Sequence, residues 1–172
     1  MFKLLGAILI ISTCSSFGFY RKMQFLRRVK ALESSIYMLK IIRREIGFNC
    51  IKMTELVEFL MKNTNAPLNK IFIQMNGKIC KSNFCNFEQE WRESFVNFGE
   101  SVGFLQIDIE ILSNIGSVLG KFDVNEQINA LDYFEKMLEE NFLIAKNQNT
   151  IDANITRTVA ICLGIIIAIV LI

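Results

Sequence analysis

The residues that could do chemistry in this chain are few, and none stands beside a partner it would need. Its 172 residues include no histidine, which removes the commonest general base near neutral pH. Of five cysteines, Cys14 and Cys162 lie inside apolar runs, leaving Cys50, Cys80 and Cys85 as an odd, irregularly spaced trio. Such a set reads as free thiols in a reducing compartment. Cys80 and Cys85 could begin a metal clasp, but no histidine and no second close cysteine pair completes four ligands. Gly99-Glu100-Ser101-Val102-Gly103 lacks the strand and turn that a phosphate loop requires, and no GxxxxGKS-like loop occurs. Glu139 and Glu140 are adjacent, so on a helix they diverge and read as a solvated face. A hydrolase or transferase needs a nucleophile beside a base, converging carboxylates or a phosphate cradle. The expectation is therefore a protein that is not an enzyme and uses no cofactor or metal.

The informative residues are instead at the two ends. Leu4 to Phe19 is apolar except for small or hydroxyl residues, and Thr158 to Ile172 is apolar after its opening threonine. Neither run reaches the roughly 20 apolar residues of a standard membrane-spanning helix. At about 1.5 Å per residue the C-terminal run covers about 22 Å of a hydrocarbon core about 30 Å thick. It spans if the bilayer thins, Ile155 is drawn in and Arg157 snorkels to the interface. The competing expectation is a helix packed on its own domain, but a segment apolar on every face has no polar side to show to water.

The N-terminal run also resembles a secretory signal: Lys3, the stretch Leu4 to Ile11, then Ser12, Thr13, Cys14, Ser15 and Ser16. Ile11-Ser12-Thr13-Cys14 approaches a lipoprotein cleavage box, with threonine a poor fit before the cysteine. The alternative reading is thus an exported or lipid-anchored helical binding protein with a cleaved signal peptide. Charge opposes it. Arg21, Lys22, Arg27, Arg28 and Lys30 follow the run, Lys3 alone precedes it, and every carboxylate lies at Glu33 or later. Cationic flanks stay in the cytoplasm. The expected organisation is an uncleaved N-terminal anchor at 1–20, a cytoplasmic helical domain at 21–157 and a C-terminal anchor at 158–172. Arg21, Lys22, Arg27 and Arg28 are the candidate contacts to anionic lipid headgroups. RNA is the poorer ligand for them, because the apolar periodicity runs straight through the stretch and the net charge is only +2.

Between the ends there is one proline, Pro67, and no sustained alternation that would argue for strands. Phe25, Val29, Leu32, Ile36, Leu39, Ile42 and Ile46 recur at helical spacing and predict a long amphipathic helix ending near Gly47. Thr54 offers a cap for a short helix burying Leu56, Val57, Leu60 and Met61, and Pro67 suits the first position of the next, which buries Leu68, Ile71, Phe72 and Met75 before Gly77. A loop is expected over 78–86. Trp91, Phe95 and Phe98 mark the inner side of a fourth helix, and Ile111, Leu112, Ile115, Val118 and Leu119 that of a fifth, stopped by Gly120. Asp123 and Glu126 form the pattern of a capping box for a sixth, lined by Ile128, Leu131, Phe134, Leu138 and Phe142. Nothing strong ends that helix before the C-terminal run.

The fold class expected is all-α, a bundle of about six helices flanked by two membrane segments. The aromatic cluster from Phe84 to Phe104 reads as core more readily than as a partner groove. The charges outside it, Glu88, Arg92 and Glu93, are the candidate partner surface.

The order of these features resembles the stage III sporulation protein AB family of endospore-forming bacteria. The residues that carry the likeness are Lys3-Leu4-Leu5-Gly6-Ala7-Ile8-Leu9-Ile10-Ile11, Gly18-Phe19, Leu39, Glu45-Ile46, Trp91, Leu119-Gly120-Lys121-Phe122-Asp123 with Gln127, and the apolar tail. Phe48 and Phe122 depart from the residues usual at those places. The resemblance implies a membrane protein of the mother cell, in the membrane around the forespore, that belongs to the channel complex joining the two cells. It implies partners among the other channel subunits and a secretion-type ATPase, and a helical domain similar to the inner-membrane platform protein of type II secretion.

Overall fold

In the computed structural model, backbone is described for residues 2–49, 51–79 and 86–171, and side chains for 23–49, 51–79 and 86–148. Six α-helices and no strand occupy the described residues. They are α1 (Phe2–Arg44), α2 (Met53–Asn63), α3 (Asn69–Ile79), α4 (Phe87–Val102), α5 (Gln106–Ile115) and α6 (Val124–Leu171), with a π-helical turn at Glu45–Asn49. The expected number of helices is found, but the long ones absorb the chain ends: α1 is unbroken from Phe2 and α6 runs to Leu171. Neither has a proline or a cap residue that would separate an anchor from the domain. The chain divides into two compact units, one of Met1–Arg27 with Ile144–Ile172, the other of Arg28–Leu143.

The second unit holds the core. Successive helices α2, α3, α4 and α5 pack on one another in chain order, as short connections favour. Leu32, Leu39, Ile42, Leu56, Leu60, Leu68, Ile71, Phe72, Met75, Leu112, Leu131 and Leu138 of the inner stripe read from the sequence are buried, whereas Phe25, Val29, Ile36, Met61, Phe98, Val118, Ile128, Phe134 and Phe142 of the same stripe are half-buried. At its centre Trp91 lies 5.7 Å from Phe72 and 5.2 Å from Phe95 between ring centroids, and its indole N–H donates to the Leu112 carbonyl at 2.8 Å. That bond satisfies the one polar atom of the buried ring. Two glycines let α4 and α5 approach this closely. A Cβ on Gly116 would stand 2.7 Å from Trp91, and one on Gly99 would stand 2.6 Å from Ile109.

Several ends differ from expectation for local reasons. Gly47 does not stop α1; the chain enters the π-helical turn, where the Glu45 carboxylate accepts from Asn49 Nδ2 at 2.6 Å and from Arg44 Nη2 at 2.9 Å. Thr54 lies inside α2, whose cap position is Lys52. Pro67 sits in the preceding turn, and α3 begins at Asn69. Gly77 lies within α3. Gly103, with φ of 110°, ends α4 by donating to the carbonyls of Gly99 and Glu100. Helix α5 ends at Ile115, and a turn carries the chain to Gly120 at φ 75°. There the Gly120 N–H donates to Gln127 Oε1 at 3.0 Å while Gln127 Nε2 donates to the Phe122 carbonyl at 2.7 Å. Asp123 Oδ1 accepts from the Glu126 N–H at 2.9 Å, the capping contact its position predicted.

Candidate functional site

Helix α4 turns its aromatic face inward, so Glu88, Arg92 and Glu93 are carried on the opposite side. Only Arg92 is fully exposed; Glu88 and Glu93 are half-buried. Glu88 pairs with Lys121, beyond the end of α5. Glu93 accepts from Gln89 Nε2 at 2.9 Å and lies 3.5 Å from Lys78 Nζ, and those neighbours hold its carboxyl below the usual range, the Gln89 bond most of all. Arg92 makes no ion pair among the described residues. The three predicted charges are therefore on one helix but are not equivalent: two serve intramolecular contacts and one is available.

Among the candidate membrane contacts, the side chains of Arg21 and Lys22 lie outside those described, and Arg27 is exposed. Arg28 departs from the sequence reading. It is 7% exposed, and its guanidinium forks onto Asp108, Nε donating to Oδ2 at 2.8 Å and Nη2 to Oδ1 at 3.1 Å. A side chain held in this way is not offered to a headgroup. Asp108 is wholly buried and also accepts from Asn141 Nδ2 at 2.9 Å and from the Leu105 N–H at 3.0 Å. Four bonds on two oxygens offset the cost of burying the charge. The result ties α1, α5 and α6 together at one point, and it closes the N-terminus of α5 with a carboxylate where the helix dipole favours one.

Further along the same two long helices, Arg43 pairs with Asp132 and stands 3.3 Å from Glu135, which in turn lies 3.4 Å from Lys40 Nζ. These pairs fix the register of α1 against α6. No group of three His, Cys, Asp or Glu side chains among the described residues could hold a metal, and Cys80 and Cys85 lie outside those residues.

A family model for stage III sporulation protein AB matches residues 3–172. The chain belongs to the stage III sporulation protein AB family. Its role is accordingly one in sporulation. No curated protein and no solved structure matches this family member. Leu119 to Asp123 with Gln127, among the residues that carry the resemblance, map onto the turn that Gln127 staples between α5 and α6, so those residues set a chain reversal. Trp91 is the centre of the core. Glu45-Ile46 begins the π-helical turn, whose Phe48 is 85% exposed.

The residues that sequence reasoning missed are Asp108, with Asn141, and the pairing of Arg28. Asp108 lies in the first turn of α5, where an acid is ordinary, and the sequence signal for more is slight: it is followed at once by Ile109 in a strongly apolar helix. The two apolar runs that the sequence reads as anchors lie outside the residues whose side chains are described. Among the described residues no helix is long and apolar enough to cross a membrane.

Proposed function

We propose that this protein is a non-enzymatic platform subunit of the complex that joins mother cell and forespore. It is held in the mother-cell membrane by residues 1–20 and 158–172, with the helical domain on the cytoplasmic side. The observation that carries this reading is the sequence of a sporulation-family chain in which one helical domain separates two apolar runs and the basic residues crowd the domain side of the first. Supporting it, the clusters found in the domain, Arg28 with Asp108 and Arg43 with Asp132 and Glu135, are fixed bonds between helices rather than reactive groups. On this reading the partners are other channel subunits, a secretion-type ATPase and membrane lipids, and nucleic acid is not among them. The arrangement resembles that of a type II secretion platform protein.

Protease treatment of spheroplasts and of opened membranes tests the topology. The domain should survive protease added outside intact spheroplasts and be cut once membranes are opened; digestion from outside would overturn the reading. The serine, threonine and cysteine stretch after Ile11 favours the second reading, an exported or lipid-anchored binding protein. Mass spectrometry of the mature N-terminus separates the two, since retention of residues 1–20 is incompatible with cleavage.

A further inference from the structure

Within the Arg28–Leu143 unit an open groove of about 430 Å³ runs between α1 and α6. Its lining is Ile36, Tyr37, Phe142 and Leu143, with Glu33, Lys40 and Glu139 at the edges. Tyr37 is 57% exposed and Leu143 55%, large apolar surfaces that the fold leaves uncovered. The edge charges are unbalanced. Lys40 is already engaged by Glu135 at 3.4 Å, whereas Glu33 and Glu139 have no ion pair or hydrogen bond among the described residues.

We propose that this groove receives an amphipathic helix of a partner protein, one whose apolar stripe is flanked by lysine or arginine. A slot between two helices is shaped for a third, whose apolar residues at positions i, i+3, i+4 and i+7 reach its floor. The two unpaired carboxylates favour cations beside that stripe. The same carboxylates argue against other occupants. A second copy placed face to face would bring another pair of unpaired carboxylates to the same rim while its Lys40 is already engaged by Glu135, and an anionic lipid surface would meet two negative charges there. The proposal rests on the platform reading above, to which it adds the chemistry of one partner.

The test is photo-crosslinking in sporulating cells that express the full chain with a photoreactive phenylalanine analogue in place of Tyr37 or, separately, Leu143, and at the exposed Ile73 of α3 as a control site. The joined peptide is then sequenced by mass spectrometry. The expected product from Tyr37 and Leu143, absent from Ile73, is a segment of another protein with helical apolar periodicity and flanking Lys or Arg. The exposed double substitution Glu33→Lys with Glu139→Lys should reduce its yield at least tenfold without changing the helical circular dichroism, and Lys→Glu changes in the captured segment should restore it. Capture of a second copy, of lipid, of an acidic segment or of nothing overturns the proposal, as does a yield indifferent to the charge reversal. A failed cross-link in a chain that remains membrane-bound and needed for sporulation removes the groove alone; a chain found free of membranes removes the platform reading whatever Tyr37 captures.

Discussion

Asp108 shows how much one side chain can decide here. Replacing it with alanine leaves the buried Arg28 guanidinium without its carboxylate, and breaking a buried pair in this way costs about 3 kcal/mol or more. Asp108→Ala should lower the urea stability of the domain by that amount, whereas Arg28→Met combined with Asp108→Leu should recover the part due to the unpaired charge and leave the loss of the Asn141 and Leu105 bonds. If the double variant is no better than the single one, the pair has been given the wrong role. Glu45 makes a second prediction, in pH. Its bonds from Asn49 and Arg44 hold its pKa below the ordinary 4.5, the Asn49 bond contributing most. Above that value both folded and unfolded chains carry the charge and the stabilisation is complete. As pH falls below 4.5 the unfolded chain takes up the proton first, and the contribution is lost by the time the folded carboxylate protonates. Glu45→Gln should flatten the acid limb of a stability-versus-pH curve; an unchanged limb would assign it to other carboxylates.

At the scale of elements, the inner stripes were legible because each apolar residue repeats at helical spacing. The spacing of Leu68, Ile71, Phe72 and Met75 predicts one buried stripe, and all four are buried, with Leu68 in the turn just before α3 and the other three on α3. Boundaries were less legible, since they depend on bonds that spacing does not show. Gly47 looked like a stop, but the Glu45, Arg44 and Asn49 side chains carry the backbone into a π-helical turn instead. Gly77 likewise looked like an end and lies inside α3, where a Cβ would meet nothing within 4 Å. Gly77→Ala should therefore stabilise the protein by about 0.5 to 1 kcal/mol. Gly99→Ala, at 2.6 Å from Ile109, should instead destabilise it by about 1 to 3 kcal/mol through overpacking of α4 on α5. Thermal melts of the two variants give opposite signs on this account, and equal signs would contradict the packing described for those helices. Arg28 was hard to place for a related reason: a cationic run after an apolar one has the same sequence signature whether each member faces headgroups or one turns inward to a distant aspartate.

For the whole molecule, family and helix content were open to reading, because they depend on order and residue type. The partner surface was less open. Glu88 and Glu93 are exposed by pattern, yet they are drawn into contacts with Lys121 and Lys78 that arise only when α3, α4 and the turn after α5 come together, and Glu93 is also bonded by Gln89 one turn before it on α4. Arg92 is the member of that set left available, so Arg92→Glu should weaken co-purification of partner subunits while leaving the melting temperature within about 2 °C, as surface substitutions usually do. Undiminished co-purification would direct attention to another face. The central claim is where the domain lies, and cysteine accessibility reports it most directly. A single cysteine placed at Arg92, with the five native cysteines replaced, should react with a membrane-impermeant maleimide only after sporulating cells are opened. Labelling of that cysteine in intact cells would contradict the account.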